Sequence, residues 1–103
     1  MEVRLKKITI IAERLLREPI LTLLHEEGST GHTLTSVEGE GSRGVHASDW
    51  EGRNIQVETI VSERVATKIL ARIAEEYLEN FAVIAYQTNV EVLRRSKFTN
   101  EPD

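Results

Sequence analysis

The stretch Gly39-Glu40-Gly41-Ser42-Arg43-Gly44-Val45-His46, with the polar run Ala47 to Arg53 behind it, decides how this chain is read. Counted with Gly52, it holds four of the six glycines and has little to bury. The segments on either side, His32–Glu38 and Ile55–Val61, are rich in β-branched residues and read as strands. Two strands are therefore joined by about fifteen residues of irregular chain, where the median connection in a compact domain is about four to six. Connections of that length are either functional or disordered. This one carries residue types that hold an anion: glycines that let backbone approach, a serine hydroxyl and an arginine fork. The remainder of the chain reads as a scaffold that presents it.

Outward from this connection, Ile8–Ala12 reads as a first strand. Leu16, Ile20, Leu23 and Leu24 then stand on one face of a short helix. Pro19 fits only its first turn, and Gly28 supplies a left-handed stop. Strand three alternates Ile55, Val57, Thr59 and Val61 with Gln56, Glu58 and Ile60. Ser62 is a good N-cap for a second helix, whose apolar stripe is Val65, Ala66, Ile69, Leu70, Ile73, Ala74, Tyr77 and Leu78. Phe81–Thr88 reads as strand four, and Val90, Val92 and Leu93 as its extension or a short fifth strand. Residues 99–103 read as a disordered tail. The order strand, helix, strand, strand, helix, strand is the split βαβ, or ferredoxin-like, α+β arrangement, an antiparallel sheet with both helices on one face. Strands one and four are apolar on both sides, so the open face is expected to pack against other copies of the chain.

The composition bounds the function. The 103 residues form one domain (1–103), with a core that association between subunits would help to complete. A net charge of −4 gives no basic field for nucleic acid. With no cysteine, thiol catalysis, disulfides and Cys-zinc sites are excluded. Apolar runs are short and interrupted by charge, which places the protein in the cytoplasm with no membrane span. His25, His32 and His46 are too dispersed for a metal site by local spacing.

At Gly39-x-Gly41-Ser42-Arg43-x-Val45 the chain resembles the PII-like signalling proteins, closest to the SbtB branch associated with bicarbonate transport. Gly28-x-x-Gly31-x-Thr33, Tyr77, Glu91-Val92-Leu93 and Ser96-Lys97-Phe98 support the resemblance, which covers nearly the whole chain. It implies a homotrimer of ferredoxin-like subunits with an adenine nucleotide (AMP, cyclic AMP, ADP or ATP) in each cleft between neighbours. It also implies that residues 39–53 form a T-loop that changes conformation with the nucleotide and meets a partner. That partner would be a bicarbonate transporter or another carbon-concentrating component, which would bring the protein to the membrane periphery, and bicarbonate itself is a candidate ligand.

Position by position, the resemblance assigns Gly41, Ser42 and Arg43 to the nucleotide phosphates, with Gly39 and His46 in the same nucleotide-binding set. It assigns Thr33, Glu58 and Ile60 to the ribose or base. Phe81, Ala82, Val83 and Ile84 would supply the backbone and apolar wall for adenine. Arg94 or Arg95 would reach phosphate from a neighbouring subunit. Val45 and the only tryptophan, Trp50, are the candidate partner contacts. This sequence departs from the family at Glu40, where a basic residue is common, at His46, where arginine is common, and at Val83, where glycine is common. Fewer fixed cations predict a preference for AMP, cyclic AMP or ADP over ATP. Histidine titrates near neutrality, so a phosphate contact through His46 predicts affinity that falls as pH rises from about 6 to 8.

The alternative is a small phosphatase or nucleotide hydrolase using Arg43 in a phosphate-cradling loop. It is disfavoured because the glycine loop lies between strands two and three and not after strand one. The sequence names no catalytic residue and no catalytic cofactor, and slow nucleotide hydrolysis stays open. A trimeric adaptor that binds no small molecule is the third reading.

Overall fold

Nine residues, Leu5–Glu13, make the strand β1 on which the sheet is built, in a computed structural model that describes residues 3–39 and 54–99. β1 pairs antiparallel with β3 (Asn54–Ser62) on one side and with β4 (Ile84–Val90) on the other. β2 (Thr33–Val37) adds to the outer edge of β3, which gives the order β2-β3-β1-β4. The edges are therefore β2 and β4. This is the antiparallel ferredoxin-like sheet expected from the element order.

Alternation sorts the sheet into two faces. Ile8, Ile10 and Ala12 stand opposite Thr59, Val57 and Ile55 in register and face the helices. They join Leu16, Ile20, Leu23 and Leu24 of the first helical segment and Ala66, Ile69 and Ile73 of the second in one buried cluster. The first segment is a 3-10 turn, Arg14–Leu16, running into α1 (Arg17–Glu26). Pro19 sits in the first turn of α1, where its missing N–H leaves nothing unpaired. At the far end Gly28 adopts φ +109°. Its N–H donates to the His25 carbonyl and the Ser29 N–H to the Leu24 carbonyl, both across about one turn, which is the Schellman closure.

α2 (Glu63–Tyr77) starts on the Ser62 hydroxyl, which accepts from the Val65 N–H at 3.3 Å. Its expected stripe is narrower than the sequence suggested. Ala74 is exposed and Leu78, past the helix end, is 46% exposed. Arg72 holds α2 to the end of α1 by reaching Glu26 and Glu27 as well as Glu76. These three carboxylates hold its guanidinium proton more firmly than usual.

Strand four begins later than expected. Phe81–Val83 form a turn after α2: the Phe81 N–H donates to the Tyr77 carbonyl and the Val83 N–H to the Phe81 carbonyl. The Phe81 ring meets Tyr77 edge-on, with centroids 5.8 Å apart. That local packing takes the place of ladder pairing. β4 ends at Val90, and Val92 and Leu93 belong to no strand. Ser96–Thr99 instead form a one-turn helix, α3, so Thr99 is not part of a disordered tail.

The open face carries Ile11, Ile84 and Tyr86, placed side by side by the β1–β4 register. Ile84 is 59% and Tyr86 47% exposed, and on the other side of strand four only Ala85 packs, partly buried, against the core of a single chain. Thr9, opposite Tyr86, is buried and its Oγ1 has no hydrogen-bond partner among the described residues. Among those residues no helix is long and apolar enough to cross a membrane.

Candidate functional site

A cleft of about 260 Å³ opens where β2 begins. Gly31, His32 and Thr33 form one wall and Glu58, Thr59 and Ile60 of β3 the floor, and Lys7, Lys97 and Phe98 close it. The register puts Thr33 directly opposite Glu58 and Ile60 opposite Lys7. The Lys7 ammonium stands 3.5 Å from the Glu58 carboxylate, both about one-third exposed, so the pair is screened and open to exchange for a ligand. Gln56 Nε2 also donates to Glu58, at 3.4 Å. Exposed Lys97 has its ammonium 5.5 Å from the Phe98 ring.

Thr33, Glu58 and Ile60 are thus brought together. The rest of the predicted nucleotide set lies elsewhere. Gly39 stands beyond Val37, which pairs with Asn54, at the opposite end of β2. From Thr33 that is six residues, roughly 20 Å at strand rise. Ile84 pairs with Ile11, level with Gln56 and Thr35 and two residues along the sheet from the Thr33–Glu58 rung, and Phe81–Val83 precede it in that direction. Phe81–Ile84 border the opposite sheet edge, three strand spacings or about 14 Å across. The described members of the predicted set therefore fall in three places: Thr33, Glu58 and Ile60 in the cleft, Gly39 past the far end of β2, and Phe81–Ile84 at the β4 edge. Gly41, Ser42, Arg43, Val45, His46 and Trp50 lie outside the described residues.

Of the two arginines expected to reach phosphate, Arg95 donates from Nη2 to the Val3 carbonyl, while Arg94 is exposed. Lys7, His32, Lys97 and Phe98 were missed as cleft residues. Lys7 is found only once the β1–β3 register is known. Lys97 and Phe98 follow β4 in a turn that no hydrophobic period announces. A second cleft of about 260 Å³ adjoins through Gly31 and His32 and includes His25. No cluster of three or more metal-ligating side chains occurs among the described residues.

The model of the family "Nitrogen regulatory protein P-II" matches residues 5–97. The chain belongs to the P-II family. A crystal structure of a PII-like signaling protein from Thermus thermophilus is 51% identical, with a TM-score of 0.81 over 93% of this chain and 96% of that one. CPII from Thiomonas intermedia K12, bound to ADP, AMP and acetate, is 26% identical with a TM-score of 0.81 over 95% of this chain and 97% of that one. The same protein bound to ADP and bicarbonate is 26% identical with a TM-score of 0.80, over 92% of this chain and 94% of that one. This chain is accordingly a PII-like signalling protein built on the fold described above.

Proposed function

We propose that this P-II family member binds an adenine nucleotide, AMP or ADP, in a cleft formed between two copies of the chain, and signals through residues 39–53. The observation that carries the reading is the separation of the predicted set. Thr33, Glu58 and Ile60 share one cleft, while Gly39 lies past the far end of β2 on the same edge and Phe81–Ile84 border the opposite edge of the sheet. The described residues of one chain do not bring them into one site, and in the proposed reading a second copy supplies the missing part. The exposed Ile84 and Tyr86 on the open face supply apolar surface for that association, which we take to be a trimer.

In this arrangement Thr33 and Glu58 meet the ribose, Ile60 and the Phe81–Ile84 segment of the other copy flank the base, and Gly41, Ser42, Arg43 and His46 hold phosphate. CPII was solved with ADP, AMP and bicarbonate, which favours these ligands here. The single domain 1–103, its T-loop at 39–53 and its cytoplasmic location belong to the same reading. So do a link to bicarbonate uptake and a transporter partner met through Val45 and Trp50. Ligand-dependent ordering of that segment is the switch a partner reads. The action is binding without catalysis.

Calorimetric titration with AMP, ADP, ATP and cyclic AMP, each with and without bicarbonate, tests the reading. Binding of AMP or ADP that Glu58→Ala weakens by about tenfold or more is expected, since a hydrogen bond to a charged group contributes roughly 1.5–3 kcal/mol. Absence of binding by every nucleotide overturns it. Assaying the same mixtures for released phosphate tests the alternative hydrolase reading, with Arg43→Ala as its control.

A further inference from the structure

The cleft at the start of β2 offers polar groups for a sugar and two rings able to stack on a base, the Phe98 phenyl and the smaller imidazole of exposed His32. The chain has five aromatic residues. Tyr77 and Phe81 pack on each other away from this cleft, Tyr86 lies on the open face, and Trp50 is outside the described residues. Of these, Phe98 alone lines the cleft with Thr33, Glu58 and Ile60. It is half-buried and also lines a second, larger cleft of about 720 Å³ with Val3, Ser62 and Arg64. Phe98 therefore borders two clefts and does not belong to the core.

The turn that carries Phe98 is fastened beside the cleft. Thr30 Oγ1 donates to the Lys97 carbonyl at 3.3 Å, and Thr99 Oγ1 donates to the Arg95 carbonyl at 3.1 Å. Arg95 in turn donates to the Val3 carbonyl. The ring is thus positioned from both the β2 side and the β1 side. The Lys97 ammonium near the ring marks a π-face that a cation can reach.

We infer that Phe98 is the stacking platform for the nucleobase, and that Lys97 leaves the ring for the ribose or phosphate when the base arrives. This rests on the nucleotide site proposed above and adds residues to it. A purine presents a π-face to any aromatic ring, and such stacking is sequence-tolerant in other base-binding proteins. The cleft also has the volume of a half-site. At about 260 Å³ it falls below the roughly 300 Å³ at which small-molecule sites begin, so it takes base and ribose, with exposed Lys97 free to reach phosphate and the remaining phosphate contacts left to the second copy.

The test compares wild type, Phe98→Leu, Phe98→Trp and Lys97→Ala by calorimetric titration with ADP. Ribose 5-phosphate serves as a baseless competitor. Phe98→Leu keeps apolar bulk and removes the ring, so ADP affinity is expected to fall by roughly tenfold while ribose 5-phosphate is unaffected. Phe98→Trp in a Trp50→Phe background is expected to bind ADP within about twofold of wild type, with its emission quenched by the stacked base. Lys97→Ala is expected to weaken ADP more than adenosine. Wild type that binds ADP while Phe98→Leu binds it equally well overturns this inference alone. So does tryptophan emission that saturating ADP leaves unchanged. Equal losses for ADP and ribose 5-phosphate in Phe98→Leu assign the ring a merely structural role and also overturn it. Wild type that binds no adenine nucleotide overturns the site itself.

Discussion

Thr59 Oγ1 donates a 2.7 Å hydrogen bond to the Gly31 carbonyl and so pins the segment before β2 to the middle of β3. Thr59 is 2% exposed and stands in register opposite Ile8, so this anchor is part of the core. Ser29 Oγ lies 2.6 Å from the same hydroxyl and 3.0 Å from the same carbonyl, which makes a three-centre polar lock. Its position matters for function because Gly31, His32 and Thr33 follow directly and form the wall of the candidate cleft. The wall of the candidate cleft is thereby fixed by the folded interior.

Thr59→Val removes the hydroxyl with little change of shape. Ser29 can still reach the Gly31 carbonyl, so the expected loss of stability is about 1 kcal/mol, the net value of one such bond. The urea midpoint at fixed protein concentration measures it, because association adds to apparent stability. Nucleotide affinity is expected to fall several-fold in the same variant. Unchanged affinity together with a lowered midpoint would show that the lock supports the fold and not the cleft.

Gly28→Ala separates backbone strain from steric exclusion. A Cβ at this position would meet only Val65 Cγ2, at an ordinary 3.8 Å. The conformation itself is the obstacle, since φ +109° is one that side chains rarely adopt. A destabilisation of about 1–2 kcal/mol is expected from the left-handed penalty, read from the urea midpoint. A neutral substitution would mean that the end of α1 relaxes into another closure.

The contrast between β3 and the C-terminal segment shows what the sequence could reveal. Ile55, Val57, Thr59 and Val61 alternate cleanly because one face meets helices and the other does not, so strand and register face were readable. The α1 closure was readable because only glycine tolerates the angle needed there. Phe81–Val83 misled because an apolar run of that length is compatible with strand, and the deciding contact, Phe81 on Tyr77, is tertiary. Leu78 misled for the complementary reason: the helical period continues past Tyr77, but the helix stops. Thr33, Glu58 and Ile60 were placed by resemblance, and their meeting follows from the β2–β3 register. Phe98 and Lys97 were invisible as cleft residues because a four-residue helix carries no period, and its position depends on bonds from Thr30 and Arg95.

Ile84→Arg tests the open face. Ile84 is 59% exposed beside Ile11 in the β1 register, so a charge there leaves the single chain's core untouched. If this face joins copies, burying an unpaired arginine opposes association. Light scattering is expected to show wild type as a trimer and the variant shifted to smaller species, with nucleotide binding lost in parallel. A variant that remains trimeric would place the interface elsewhere.

The division of the half-sites between copies makes a prediction about mixtures. Glu58→Ala disables the β2–β3 half-site, and Arg43→Ala disables the phosphate half-site proposed in the other copy. Each variant alone has every cleft damaged. In a trimer assembled from equal amounts of the two, a cleft is intact when an Arg43-bearing copy faces a Glu58-bearing one. Random assembly gives that arrangement in about one cleft in four, because a cyclic trimer repeats the same heterologous contact three times. Co-refolded mixtures are therefore expected to recover about a quarter of wild-type high-affinity AMP or ADP sites, measured as titration stoichiometry. Mixing without refolding should recover none until subunits exchange. Recovery by neither route would place both residues in a site formed within one copy, which the separation of Thr33 from Gly39 along β2 argues against.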